Sequence, residues 1–175
     1  MNKLDNYIIQ FGTLETGQHE FVYRISNDFF EQFEYSEVED GDIEVRVELI
    51  RKTLLLELTF FIKGNVTVQC DRCLDSFSLP IESEEYLSVK FGEEDSDISD
   101  VDDVMIISQT RTELPIWQHI FEYIHLALPI RRVHPHDKNG NSTCDPEMIA
   151  KLEEHLVQKE ISVDPRWDQL KTLFN

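Results

Sequence analysis

The sequence predicts an α+β protein: an antiparallel β-sheet of about six to seven strands, strongly twisted or closing toward a barrel, then a packed helix and short C-terminal helices. Three observations carry that expectation. Apolar and polar residues alternate through much of residues 21–91, apolar residues recur at three- and four-residue steps over 112–128, and two later segments open with Asp-Pro.

Phe21, Tyr23 and Ile25 begin the alternation, and Ile43, Val45, Val47 and Leu49 continue it against Glu44, Arg46 and Glu48. A period of two marks a strand with one wet face. Leu54, Leu56, Leu58, Phe60 and Ile62 form the next strand; Leu55 and Phe61 make its second face partly apolar too, which places it centrally in the sheet. Arg51-Lys52 and Gly64-Asn65 supply turns for two successive hairpins. Val66, Val68 and Cys70, then Phe77, Leu79 and Ile81, then Leu87, Val89 and Phe91 give further strands, with a short last one at Val104–Ile107. Asn27 to Phe33 reads as a short helix, capped by Ser26 or Asn27, turning Phe29, Phe30 and Phe33 inward.

Gly92 to Asp103 is a run of acids with no core face and reads as a flexible loop. Its oxygen ligands suit Ca²⁺, but the spaced D-x-[DN]-x-[DN]-G pattern is missing. Thr112 to Leu128 is a helix with Leu114, Trp117, Phe121, Ile124 and Leu128 on one face, Thr112 as cap, Pro115 in the first turn and Pro129 as stop. His119 and His125 on this helix read as surface or boundary residues. Asp145-Pro146 and Asp164-Pro165 start two more helices, with stripes Met148, Leu152, Leu156 and Trp167, Leu170, Phe174. Residues 1–128 form the main sheet domain with its helix; 129–175 form an extension, a basic and His-bearing loop with Cys144 and two short helices, folding on the same domain.

Composition narrows function. Acids outnumber bases 35 to 16, for a net charge of −19. Binding a polyanion needs Lys and Arg to displace phosphate counterions, so extensive RNA, DNA or anionic-membrane contact is disfavoured, and a basic protein partner suits the charge. Arg131, Arg132, His134, His136 and Lys138 form the only basic cluster, a local surface for RNA or a partner. No run approaches the roughly 18 apolar residues of a membrane span. The N-terminus shows no signal-peptide pattern, so the expectation is a cytoplasmic protein.

Three cysteines cannot close a disulfide framework. Cys70-Asp71-Arg72-Cys73 has the spacing of half a tetrahedral zinc site. Cys144, with His134 or His136, completes a chemically adequate set, although that second pair is spaced more widely than in zinc ribbons and no glycine follows Cys73 to ease the turn. Two alternatives stand beside zinc. The cysteines are small buried residues at a strand end, or a redox dithiol with Arg72 favouring thiolate. No nucleophile–base pair, phosphate loop or H-E-x-x-H motif occurs, and no small-molecule substrate is indicated, so the expectation is a non-catalytic protein. Trp167, with Leu170 and Phe174, either folds back on the domain or docks a partner.

Cys70-Asp71-Arg72-Cys73 followed by Phe77 is similar to the C-x-R-C-x-x-x-F segment of the YceD-like, large ribosomal RNA subunit accumulation proteins. The stretch Glu122 to His134, Cys144 about ten residues on, and Asp164-Pro165-Arg166-Trp167 resemble that family's later anchors in order, covering roughly residues 66 to 175. Many relatives carry a fuller cysteine-rich segment where this chain has His134 to Cys144. The resemblance implies a part in synthesis, processing or stability of large-subunit ribosomal RNA during ribosome assembly. Joined to the charge, it predicts action through a basic ribosomal or assembly protein, with direct ribosomal RNA contact through the basic cluster as the competing version.

Overall fold

Alternating side chains lay down much of residues 17–92 as sheet. The computed structural model describes residues 3–34, 36–38, 40–93 and 104–155. Strands β2 (Gly17–Ile25), β3 (Asp40–Arg51), β4 (Leu55–Gln69), β5 (Ser76–Gly92) and β6 (Val104–Ser108) form one sheet in that order. β1 (Ile8–Ile9) and β7 (Leu114–Pro115) pair separately as a two-stranded antiparallel ribbon. The helices are α1 (Asn27–Phe30), α2 (Trp117–Leu126) and α3 (Pro146–His155).

The core lies on one face of the large sheet. Ile43, Val45, Val47 and Leu49 of β3 and Leu56, Leu58, Phe60 and Ile62 of β4 are buried, one from every second position, as the pleat requires. Phe29 and Phe30 of α1 and Ile120 and Ile124 of α2 close over them. The opposite face has no covering layer among the described residues. There Leu55 and Phe61 are half-buried, with the Arg46 guanidinium 4.2 Å above the Phe61 ring. β4 is central, as its two apolar faces predict.

Four expectations need correction. The sheet is neither closed into a barrel nor wholly antiparallel, because β6 runs parallel to β5 and β2 and β6 remain separate edges. The acidic stretch between Gly92 and Val104 is long enough for a return crossover, which alternation alone does not reveal.

Gly64-Asn65 is not a turn. It lies within β4, where Gly64 pairs with Ile43 and Ile81 and Asn65 with Asp42 and Pro80. Glycine serves close approach here: a Cβ at Gly64 would meet the Asp42 carbonyl oxygen and stand 2.6 Å from the Ile43 Cα. The hairpin therefore continues to the cysteine turn, and the strands expected at 77–81 and 87–91 merge into β5. Pro80 is tolerated because β6 pairs only with Ser88–Gly92, leaving that stretch of β5 at an edge.

The helix expected over 112–128 is shorter. Leu114 and Pro115 pair with Ile9 and Ile8, and Ile116 stands at the N-cap of α2. Its buried face is Ile120 and Ile124, while Trp117 and Phe121 are partly buried, Phe121 stacking on Phe33 at 3.9 Å.

The helix expected at 27–33 also ends early. α1 stops at Phe30, and Ser26 is its N-cap without a side-chain capping bond. α3 starts as predicted, with the Asp145 carboxylate accepting the Glu147 N–H at 3.0 Å. The second Asp-Pro helix, Leu156, and the acidic run from residue 94 to 103 lie outside the described residues.

Candidate metal centre

The β4–β5 hairpin turns through Cys70–Asp75. The Cys70 N–H donates to the Asp75 carbonyl and the Leu74 N–H to the Cys70 carbonyl, both at 2.9 Å. Closing this turn puts Leu74 in the left-handed region at φ 66°, where glycine would be the easy choice. The strain, on the order of 1 kcal/mol, is carried by the only non-glycine residue at positive φ among those described. The turn that lacked its glycine in the sequence thus forms anyway, with the Arg72 N–H 3.5 Å from the Cys70 sulfur.

The segment after α2 returns to this turn. The Asp71 N–H donates to the Arg132 carbonyl at 2.7 Å, and the Arg132 N–H donates to the Asp71 carboxylate at 2.6 Å. The Arg132 side chain then reaches Glu37, Nη1 to Oε2 2.6 Å. That reciprocal clamp delivers His134, two residues on, whose ring lies 4.6 Å from the ring of Phe77. A tight turn brings back Cys144. Asp137 accepts the N–H groups of Asn139 and Asn141 at 2.8 Å each, and Gly140 takes φ 83°, as the Asn-Gly-Asn sequence predicts.

Cys70, Cys73, His134 and Cys144 meet as a result, with their ligand atoms all within 4.8 Å of one another. Cys70 Sγ is 3.9 Å from Cys144 Sγ, and Cys73 Sγ is 3.4 Å from His134 Nδ1. Edges of a zinc tetrahedron with ordinary bond lengths are about 3.8 Å for S···S and about 3.5 Å for S···N. These two spacings match such edges, and with all four ligand atoms within 4.8 Å of one another the donor set suits a metal ion at its centre. The sulfurs are reduced and buried, with Cys70 0%, Cys73 2% and Cys144 7% exposed, under Phe77, Val133, Met148 and Ile149.

Burial pushes the Cys70 thiol up, but the N–H groups of Cys73, Arg72 and His134 and the His134 ring outweigh it, taking its pKa down to about 6. Burial raises Cys73, against the N–H groups of Asp75 and Asp145 and with the Cys70 and Cys144 sulfurs adding to the rise. One sulfur is thus poised as thiolate, the form that ligates metal.

Of the two candidate histidines, His134 joins the cluster. His136 is exposed and bridges to Ser142 on the far side of the loop. Arg131 and Lys138 are exposed, whereas Arg132 is engaged by Asp71 and Glu37. Trp167 lies outside the described residues. Sequence reasoning passed over Asp71 and Glu37, which hold Arg132. Asp71 sat inside the motif, but nothing in its spacing signalled a partner 61 residues away.

A buried cluster of three cysteines and one histidine at a hairpin tip defines a small acidic α+β protein with a centre that could hold a metal ion. The sequence matches the family described as large ribosomal RNA subunit accumulation protein YceD over residues 58–174, and the chain belongs to that family. Membership implies a role in accumulation of large-subunit ribosomal RNA, and the match spans all four cluster residues. Comparison with curated proteins and with solved structures found no match. No helix among the described residues is long and apolar enough to cross a membrane.

Proposed function

We propose that this chain is a non-catalytic, cytoplasmic factor in large-subunit assembly, built around a structural zinc ion held by Cys70, Cys73, His134 and Cys144, and acting through a basic ribosomal or assembly protein. The observation that carries the zinc reading is the pair of distances, 3.9 Å S···S and 3.4 Å S···N, which are tetrahedral edges. Four protein ligands leave no open position, the arrangement of structural rather than catalytic zinc. Bound there, zinc would fix the hairpin tip to the C-terminal extension. The redox alternative needs an accessible thiol, and burial of Cys70 and Cys73 argues against it.

The basic partner follows from the net charge of −19, and from Arg132 being spent on Asp71 and Glu37 and not projecting as part of an RNA surface. Metal content of the purified full chain tests the first half. One zinc per chain is expected, with a lower thermal midpoint after chelation. A metal-free protein whose midpoint ignores chelators would refute it. Binding of large-subunit RNA and of basic ribosomal proteins across salt concentrations tests the second half. Strong salt-sensitive RNA binding, lost in Arg131→Ala/Lys138→Ala, would replace the protein partner by direct RNA contact.

A further inference from the structure

β5 has 17 residues, but β6 covers only Ser88–Gly92 of its outer edge. From Ser76 to Leu87 that edge has no strand partner among the described residues. At the Tyr86–Leu87 end of that stretch, between β5, β6 and α2, lies a groove of about 570 Å³ walled by Leu87, Met105, Trp117, Tyr123 and Leu126, with Tyr86 at the rim. Tyr86 is 70% exposed and Leu126 71%, and both border this groove.

Charge selects the occupant. The uncovered stretch of β5 carries Glu82, Glu84 and Glu85 and no base; the groove adds Glu122 from α2 and one base, Arg111, so the acids dominate along the strand edge itself. Lys63 reaches Glu82 at 3.1 Å, but both side chains are more than 70% exposed, so the pair screens little. A second copy of this chain would set the same acids against themselves, which disfavours edge-to-edge self-pairing.

We infer that the free edge of β5 takes an extended segment of a basic partner by strand addition, with apolar and Lys or Arg residues alternating along it. Alternation follows from the pleat. Glu82, Glu84 and Tyr86 point to the open face of the sheet, in register with Lys63, Phe61 and Thr59 of β4, while Leu87 pairs with buried Leu58 on the α2 side. Near Leu87 an added strand would send side chains of one face into the groove against Leu87, Met105 and Leu126, and those of the other face, along the strand, toward Glu82 and Glu84. The main-chain ladder supplies affinity, and this two-sided pattern supplies selectivity. The inference rests on the basic-partner reading and names where that partner binds.

The test is a titration of the isotope-labelled, metal-loaded full chain with a short synthetic peptide of alternating valine and lysine, followed by amide chemical shifts. Changes confined to residues 76–87 and to Met105, Trp117 and Leu126, with slowed amide exchange along 76–87, are expected. Glu82→Lys/Glu84→Lys/Glu85→Lys should weaken binding roughly tenfold or more, and the corresponding glutamine variant by less. Equal binding of a valine–glutamate peptide would overturn the charge argument. Lysine-peptide shifts mapping to residues 131–144 or to the open face of β2 and β3 would overturn the site but spare the basic-partner reading. No binding at any site would overturn both.

Discussion

Replacing Cys144 by alanine removes one of the two ligands, with His134, that the C-terminal extension contributes to the centre. Cys144 is the only ligand from beyond His134, and its sulfur stands 3.9 Å from Cys70. Alanine removes one of four bonds and leaves the apolar wall of Phe77, Val133, Met148 and Ile149 in place. Structural zinc sites of this kind contribute about 10–16 kcal/mol in total, so one ligand in four accounts for about 2.5–4 kcal/mol. At about 1.4 kcal/mol per tenfold, the zinc dissociation constant should rise about 10²–10³-fold. Competition with a chromogenic chelator reads this directly, and His136→Ala is the control, because His136 lies outside the cluster and should bind zinc as the unaltered chain does. Thermal unfolding with and without chelator supplies an independent reading: the gap between the two midpoints should shrink in Cys144→Ala and persist in His136→Ala. If Cys144→Ala holds zinc as tightly as the original chain, the four-ligand geometry does not describe the site.

Asp71→Ala should lower zinc affinity about 10–100-fold with all ligands intact, since it removes the carboxylate half of the clamp on the Arg132 main chain that presents His134; the same chelator competition measures it. Gly64→Ala should destabilise the fold by about 1–3 kcal/mol in urea unfolding, because the added Cβ meets the Asp42 carbonyl and the Ile43 Cα, which β3 can relieve only by shifting; an unchanged midpoint would show that the strands yield freely. The metal-free protein should lose stability as pH falls. Cys70 drops from 9.0 to about 6 on folding, so between those values the unfolded chain binds the extra proton, and the thiolate contribution is present above 9 and gone below 6. Raised Cys73 stays protonated in that window and does not reverse the sign. Denaturant midpoints measured from pH 9 to 6 in chelator should decline, and a flat profile would contradict the hydrogen-bonded thiolate.

The strands and the cysteine set were legible because pleat and ligand chemistry leave direct marks. Val45, Val47 and Leu49 must alternate to bury one face, and Cys70, Cys73 and Cys144 are the chain's only thiols. What stayed hidden depends on contacts distant in sequence. Gly64 reads locally as a turn, yet it is demanded by Asp42 and Ile43 crossing above it. Pro115 reads as a helix start until Ile8 claims it for a two-residue ribbon. His134 and His136 have equivalent chemistry and differ by two residues; only the Asp71–Arg132 clamp and the Phe77 ring decide between them. The parallel pairing of β6 left no local trace at all.

The centre also alters the connectivity of the chain. Cys73 and His134 are separated by 61 residues, and an ion shared between them would convert everything in between, including β5, β6, β7 and α2, into a covalent-like ring. Closing a loop of that length removes about 4 kcal/mol of freedom from the unfolded chain, independently of any contact the folded ring makes. β2, β3 and β4 lie outside the ring. Chelation should therefore not loosen the molecule evenly. Amide exchange should accelerate first within the ring, from the hairpin tip through α2, while the β2–β3 pairing keeps its protection.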